Sequence, residues 1–74
     1  MMNAIYIRVN PKYVHYINRI MEGYEYLGTV STINRAEGIV IVRVTPDTLA
    51  DVKDIIDNLD IPFEYVKHDE IIKN

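Results

Sequence analysis

The chain contains no cysteine, which excludes disulfide bonds and thiolate metal sites and is typical of a reducing compartment such as the cytoplasm. Long apolar runs are also missing, since the longest, Ile39 to Val42, has the length of a strand. Spanning a bilayer takes roughly 20 apolar residues. The first residues enter a strand-like pattern without the basic and apolar regions of a signal peptide. We therefore expect a cytoplasmic protein without a membrane segment.

Positive charge is scarce, with 8 Lys and Arg against 11 Asp and Glu and a net charge of −3. Nucleic-acid binding draws most of its affinity from cationic contacts to phosphate, so this balance disfavours it. A local patch built on Tyr6, Arg8 and Arg43 keeps nucleic-acid binding as an alternative hypothesis.

Residues that carry catalysis are few. Ser31 is the only serine, and no histidine has a predictable position beside it, so a nucleophilic triad is unsupported. The sequence shows neither a glycine-rich phosphate loop nor a paired-carboxylate motif. We expect a protein that is not an enzyme; a site formed only in an oligomer is the remaining catalytic alternative.

Candidate metal ligands and charged stripes are equally sparse. His15 is expected on the solvent side of a helix, and the run from His68 to Glu70 could bind a metal only with ligands from elsewhere. We predict no metal site and no cofactor. An acidic stripe on the second helix could meet a basic partner, but such runs are mostly solvated faces. Its members are Asp47, Asp51, Asp54 and Asp57.

The 74 residues, 49% of them apolar, contain an internal repeat. A shift of 35 positions lays Ile5–Pro11 on Val40–Pro46, as strand, capping residue and proline in both copies. The apolar stripe of the first helix falls on that of the second. The matching pairs are Val14 and Leu49, Ile17 and Val52, Ile20 and Ile55, Met21 and Ile56, and Tyr24 and Leu59.

The sequence pattern of each half predicts a strand, then a helix, then a second strand. Apolar residues alternate before Asn10 with the period of two that marks a strand buried on one face. Asn10 suits a helix N-cap and Pro11 the first helical position, and Thr45 and Pro46 are their counterparts. Gly23 is expected to end the first helix in the left-handed conformation.

The remaining strands complete the pattern. The second is expected at Leu27–Ile33, a hairpin turn follows at Asn34–Gly38, and the last strand runs from Phe63 to Lys67 after Pro62. Right-handed crossovers place both helices on one side of the sheet. We predict a single α+β domain over residues 1–74, with 68–74 as a tail. Its fold is a ferredoxin-like βαββαβ sandwich with an antiparallel sheet in the order 4-1-3-2.

This fold leaves one sheet face without helices. We expect Tyr6 near Ile41 at its centre, and Arg8 and Arg43 toward opposite corners. With Ile39 and Ile41 in water, the patch would be apolar with a cationic rim, a common mark of an interaction site. We predict an interface made of Tyr6, Arg8, Ile39, Ile41 and Arg43, with a second copy as the partner. The edge of the second strand is a further route to pairing.

Three segments together resemble a family of short bacterial proteins, largely from Firmicutes, catalogued as domain of unknown function 4911. They are Ile7–Pro11, Ile17–Tyr24 and Gly38–Thr48. This family has no assigned activity and therefore implies no functional residues.

The strand and helix order also resembles, more loosely, that of ACT-type regulatory domains, which bind small effectors at dimer interfaces. That resemblance implies a non-enzymatic, self-associating module that senses a ligand or docks onto a protein. It also implies a ligand loop at Asn10, Pro11 and Lys12, although this loop lacks the usual glycine.

Overall fold

The computed structural model describes residues 3–68, and their elements follow the predicted order. The strands are β1 (Asn3–Val9), β2 (Gly28–Asn34), β3 (Ile39–Val44) and β4 (Phe63–Tyr65). The helices are α1 (Val14–Glu22) and α2 (Leu49–Asp57), with a short 3₁₀ turn at Pro11–Tyr13 ahead of α1. Within residues 3–68, neither helix has the length and apolarity that crossing a membrane requires. Most of the expected tail, including Asp69 and Glu70, lies outside the described residues.

The four strands form one antiparallel sheet in the order β2-β3-β1-β4. This is the predicted order 4-1-3-2 read from the other edge, so the ferredoxin-like prediction is confirmed. In the central pair Tyr6 lies opposite Ile41, and Arg8 opposite Ile39. Arg43 lies at the other end of the pair, opposite Ala4, which confirms that the two arginines occupy opposite corners.

Both helices cover the same face of this sheet. The buried residues of β1 and β3 that alternate toward the helices join the helix stripes in one apolar cluster. Burying each such side chain stabilises the fold by about 1.5–3 kcal/mol. The cluster consists of Ile5, Ile7, Val9, Val14, Ile17, Met21, Val40, Val42, Val44, Val52 and Ile56.

The sequence repeat is also a repeat of structure. Both helices are nine residues long, and their first residues, Val14 and Leu49, are 35 positions apart. The central strands end at Val9 and Val44, which have the same separation. The halves are therefore equivalent around a pseudo-twofold axis between β1 and β3.

The two helix starts differ in their capping bonds. The Lys12 N–H donates to Asn10 Oδ1 at 3.1 Å, so the predicted cap is confirmed, although the turn that it caps is 3₁₀. The prediction of Thr45 as the side-chain cap is wrong. Thr48 Oγ1 instead accepts from the Thr45 N–H at 3.2 Å, because the chain makes a separate turn there before α2 begins at Leu49.

The end of α1 also departs from the expectation. Gly23 has a φ of −69° and is right-handed, so the predicted left-handed ending is wrong. Its N–H bonds to the Ile20 carbonyl at 3.1 Å, and Tyr24 bonds to Met21 at 2.9 Å. These three-residue bonds tighten the last turn and use the free carbonyls without a left-handed residue.

Two strand boundaries differ from those predicted. β2 begins and ends one residue later than expected, at Gly28 and Asn34. β4 ends at Tyr65 rather than Lys67. Its backbone nevertheless continues beside β1, since the Val66 N–H donates to the Tyr6 carbonyl at 2.8 Å.

The predicted hairpin turn closes on Gly38, which has a φ of +74°. The Asn34 side chain accepts from the Glu37 N–H at 3.0 Å inside the turn. Outside it, the Val9 N–H donates to the Gly38 carbonyl at 2.9 Å. A Cβ atom on Gly38 would lie 1.8 Å from the Val9 carbonyl oxygen. The hairpin thus docks on the end of β1 at a position that has no room for a side chain.

Replacing Gly38 with alanine should lower the free energy of unfolding by about 2 kcal/mol or more. The positive φ alone costs a non-glycine residue roughly 1–2 kcal/mol, and the clash with Val9 adds to it. Urea unfolding followed by circular dichroism measures the loss. Gly23→Ala is the matched control, since Gly23 is right-handed and its Cβ would lie 3.3 Å from the Ile20 oxygen. Equal losses in the two variants would contradict this account.

Candidate ligand cavity and docking surfaces

A cavity of about 400 Å³ lies at the carboxyl end of β1. This volume is within the range of about 300–1,000 Å³ that small-molecule sites occupy. The end of β1, the hairpin turn and the start of β4 build its wall. The lining residues are Arg8, Val9, Asn10, Pro11, Glu37, Pro62, Phe63 and Glu64.

The Arg8 guanidinium lies between two carboxylates at this cavity. Arg8 Nη2 is 3.8 Å from Glu37 Oε1, and Arg8 Nη1 is 3.7 Å from Glu64 Oε1. Both separations exceed the 2.7–3.2 Å of an N–H···O hydrogen bond. All three side chains are more than a third exposed. The guanidinium therefore retains N–H donors for a further anionic group, and each carboxylate retains free acceptors.

The structure divides the expected ligand loop. Asn10 and Pro11 line the cavity beside Arg8. Lys12 points elsewhere, with its Nζ 5.2 Å from the centre of the Tyr13 ring. The implied loop is thus a partial description of this cavity.

Sequence reasoning did not identify Glu37 and Glu64 as site residues. The antiparallel register was the available signal for Glu64, since it lies directly opposite Arg8 on β4. The docked hairpin brings Glu37 to the same place through the bond between Val9 and Gly38. That contact follows from tertiary packing, and no spacing in the sequence indicates it.

The predicted interface residues do share the sheet face opposite the helices, but the expectation that Ile39 and Ile41 stand in water is wrong. They are 4% and 5% exposed. Because β3 is an interior strand, each has cross-strand neighbours on both sides: Arg8 and Asn34 flank Ile39, and Tyr6 and Ser31 flank Ile41.

Other groups on this face are engaged within the chain. Arg43 Nη1 donates to Ser31 Oγ at 3.3 Å, and the Tyr6 ring packs against the His68 ring at a centroid distance of 5.4 Å. Glu37 and Glu64 offset the charge of Arg8. Recognition of single-stranded RNA needs free aromatic rings and cations without a carboxylate partner. On this face, the Tyr6 ring and the charge of Arg8 already have partners within the chain.

A gel-shift assay with single-stranded RNA should therefore show no retardation by the wild-type protein at low salt, where phosphate contacts are strongest. The variant Glu37→Gln/Glu64→Gln removes both carboxylates beside Arg8 and serves as the sensitised comparison. Retardation by the wild type that weakens on Arg8→Gln would contradict the charge argument and restore the nucleic-acid hypothesis.

The helix side carries much of the exposed aromatic surface. Tyr16 and Tyr24 are 38% and 36% exposed, and Tyr26 is 73% exposed. Tyr16 and Tyr24 form one wall of a groove of about 360 Å³ between α1 and α2. Its other lining residues are Ile20, Asp54, Ile55, Asn58, Leu59 and Asp60.

A hollow of about 550 Å³ with basic side chains in its lining, called the basic hollow below, borders α1 on the other side of Tyr16 and Ile20. Lys12, His15 and Arg19 line it and are exposed, as expected for His15. Tyr16 and Ile20 belong to both the basic hollow and the groove and so form the ridge between them.

The acidic stripe of α2 divides between two sides of the helix. Asp57 Oδ1 accepts from the Tyr65 hydroxyl at 2.5 Å, and Lys53 Nζ lies 5.4 Å from the Tyr65 ring centre. Burial raises the pKa of Tyr65 to about 12, with smaller contributions from the hydrogen bond and the negative charge of Asp57. Asp57 thus ties α2 to β4.

Removing this hydroxyl with Tyr65→Phe should lower the free energy of unfolding by about 0.5–1.5 kcal/mol at neutral pH. The folded pKa lies above the unfolded value of 10. This contribution is therefore complete below pH 10 and is lost as the pH rises through about 12. Urea titrations across this window measure it. Tyr26→Phe, at a 73% exposed residue, is the control. A difference between the wild type and Tyr65→Phe that persists above pH 12 would contradict the assignment.

These features define a small ferredoxin-like α+β domain with a cavity at the end of β1 that holds three charged side chains and with an open groove between its helices. Residues 7–62, more than half of the chain, match the family described as domain of unknown function (DUF4911), and the chain belongs to this family. The resemblance noted from the sequence is confirmed. No curated protein and no solved structure gives a significant match.

Proposed function

We propose that the chain is a non-enzymatic, self-associating module that senses a small zwitterionic ligand of the α-amino acid class. The supporting observation is the cavity at the end of β1, where one guanidinium lies between two carboxylates. Arg8 suits the ligand carboxylate, because a guanidinium binds a carboxylate through two parallel hydrogen bonds. Glu37 and Glu64 suit the ammonium group.

The rest of the cavity fits the side chain of such a ligand. Pro11, Pro62 and Phe63 supply apolar surface beside the charged groups. Small-molecule sites usually combine apolar walls with a few polar groups that fix orientation. With one cation and two anions, the charged groups favour a zwitterion, which engages both kinds, over an anion. The loop after β1 is also where the ACT-like resemblance implies ligand binding.

Two observations support the other parts of the proposal. Ser31 Oγ accepts from the cation of Arg43, which is the opposite of the contact with a base that activates a serine nucleophile. A chain of 74 residues is near the lower size limit of unaided folding, so association would stabilise it. The exposed tyrosines on the helix side provide aromatic surface that a second copy would cover.

A thermal-shift screen of the twenty amino acids tests the ligand. A ligand at a hundred times its Kd stabilises the fold by about 2.7 kcal/mol, which raises the Tm of a domain this small by roughly 10–20 °C. We expect one or a few amino acids to raise the Tm. The corresponding amine and carboxylic acid, each with only one of the two charges, should have little effect.

Arg8→Gln should abolish this shift, and Arg43→Gln is the matched control. The two arginines are equivalent in the repeat, but Arg43 lies at the opposite end of the face. Both side chains lie at the surface, so neither substitution should prevent folding. No shift with any amino acid, or an equal shift in Arg8→Gln, would rule out the proposed ligand.

A further inference from the structure

The outer surface of the two helices, called the helix face below, is positively charged along α1 and negatively charged along α2. Lys12, His15 and Arg19 are exposed on the outer side of α1 and the turn before it. The outer side of α2 and the turn before it carries three exposed carboxylates, those of Asp47, Asp51 and Asp54. Within residues 3–68, and leaving Lys67 aside, the ion pairs are those of Arg8, so the charges on the two helices form no ion pair in this part of the chain.

The internal repeat makes this polarity specific. Lys12 and Asp47 are equivalent positions in the two halves, and so are Arg19 and Asp54. The cations are seven residues apart, and so are the carboxylates; in each pair one residue lies in the turn before the helix and the other in the helix itself. The pseudo-twofold axis that superposes the helices therefore superposes positive positions on negative ones with the same spacing.

Apolar and aromatic surface lies between the two charged regions. On the α1 side the groove is lined by Tyr16, Ile20 and Tyr24, and on the α2 side by Ile55 and Leu59. Asp54, Asn58 and Asp60 line it as well. Aromatic residues are enriched where proteins associate, and charged residues are depleted at the centre of such interfaces. The helix face thus has aromatic and apolar groups at its centre, a basic margin on one side, and on the other an acidic margin that reaches the groove at Asp54.

We propose that this helix face binds the same face of a second copy, with a twofold axis parallel to the helices. The inference rests on the proposed self-association and assigns its surface. Such an axis places α1 of each copy on α2 of the other copy, so that the same helix contact forms twice. A twofold interface requires a self-complementary patch, and opposite charges at equivalent positions satisfy that requirement.

The charges also select this axis over the alternative. Because β1 and β3 are antiparallel, α1 and α2 run in opposite directions, and α1 of the second copy lies antiparallel to α2. Lys12 then faces Asp54 of the other copy, and Arg19 faces Asp47. An axis perpendicular to the helices would stack α1 on α1 and set cation against cation, and like charges across an interface cost several kcal/mol.

Analytical ultracentrifugation of two charge-reversed variants tests this arrangement. Lys12→Glu/Arg19→Glu makes both margins acidic, and Asp47→Lys/Asp54→Lys makes both basic. Each variant alone should dimerise at least about tenfold more weakly than the wild type. An equimolar mixture should recover dimers, because every acidic margin then meets a basic one. Recovery in the mixture also shows that both variants are folded.

Ile33→Lys is the matched control, since Ile33 is 42% exposed on the edge strand β2 and lines neither the groove nor the basic hollow. It should leave dimerisation unchanged. A wild type that stays monomeric at high concentration would overturn the proposed self-association itself. A dimeric wild type whose charge-reversed variants dimerise equally well, or whose mixture recovers nothing, would overturn the helix-face assignment. Loss of the dimer in Ile33→Lys would move the interface to the sheet edge.

Discussion

The antiparallel pairing of β1 with β3 is the contact from which the remaining structure follows. It brings together two strands that the repeat makes equivalent, with Ile5 opposite Val42 and Ile7 opposite Val40. Because side chains alternate along a strand, this register turns all four toward the helices. A slip of one residue would move them to the opposite face and leave Val14, Val52 and the other stripe residues without partners.

A second constraint operates at one end of this pair. Gly38 lets the hairpin backbone approach Val9 more closely than a residue with a Cβ could. The approach sets Glu37 beside Arg8, while β4 supplies Glu64 from the other side. A backbone requirement of one glycine thus determines which charges surround the cavity, although Gly38 is not among its lining residues.

The sequence predicts this fold well because the same period of apolar residues occurs twice, and each copy supports the assignment of the other. Val14, Ile17 and Met21 are buried, and the strand order is the predicted one. Local patterns predict local bonds less well. Asn10 caps its turn, whereas at the equivalent Thr45 the bond comes from Thr48, since two hydroxyls within reach of one turn make either assignment possible.

The candidate site was predicted only in part for a related reason. The alternation of side chains along a strand places Arg8, Ile39 and Ile41 on the face without helices. It does not predict how exposed they are, because exposure also depends on the side chains of the neighbouring strands. Ile39 and Ile41 lie on an interior strand with a neighbour on each side, and both are buried, whereas Arg43 on the same strand is exposed. Glu37 reaches Arg8 through a tertiary contact of the hairpin, which has no counterpart in the periodicity of the chain.

Duplication makes the backbones of the halves alike, so differences in function must reside where their side chains differ. Arg8 and Arg43 are equivalent positions, yet Arg8 lies between two carboxylates and Arg43 donates to a hydroxyl. The helices differ in the same way, since Lys12 and Arg19 replace Asp47 and Asp54 at equivalent sites. A symmetric scaffold with oppositely charged halves can match itself after a twofold rotation, which two identical halves of one charge could not do. In the function and the interface that we propose, the asymmetry of the repeat, rather than the fold it builds, carries the recognition chemistry.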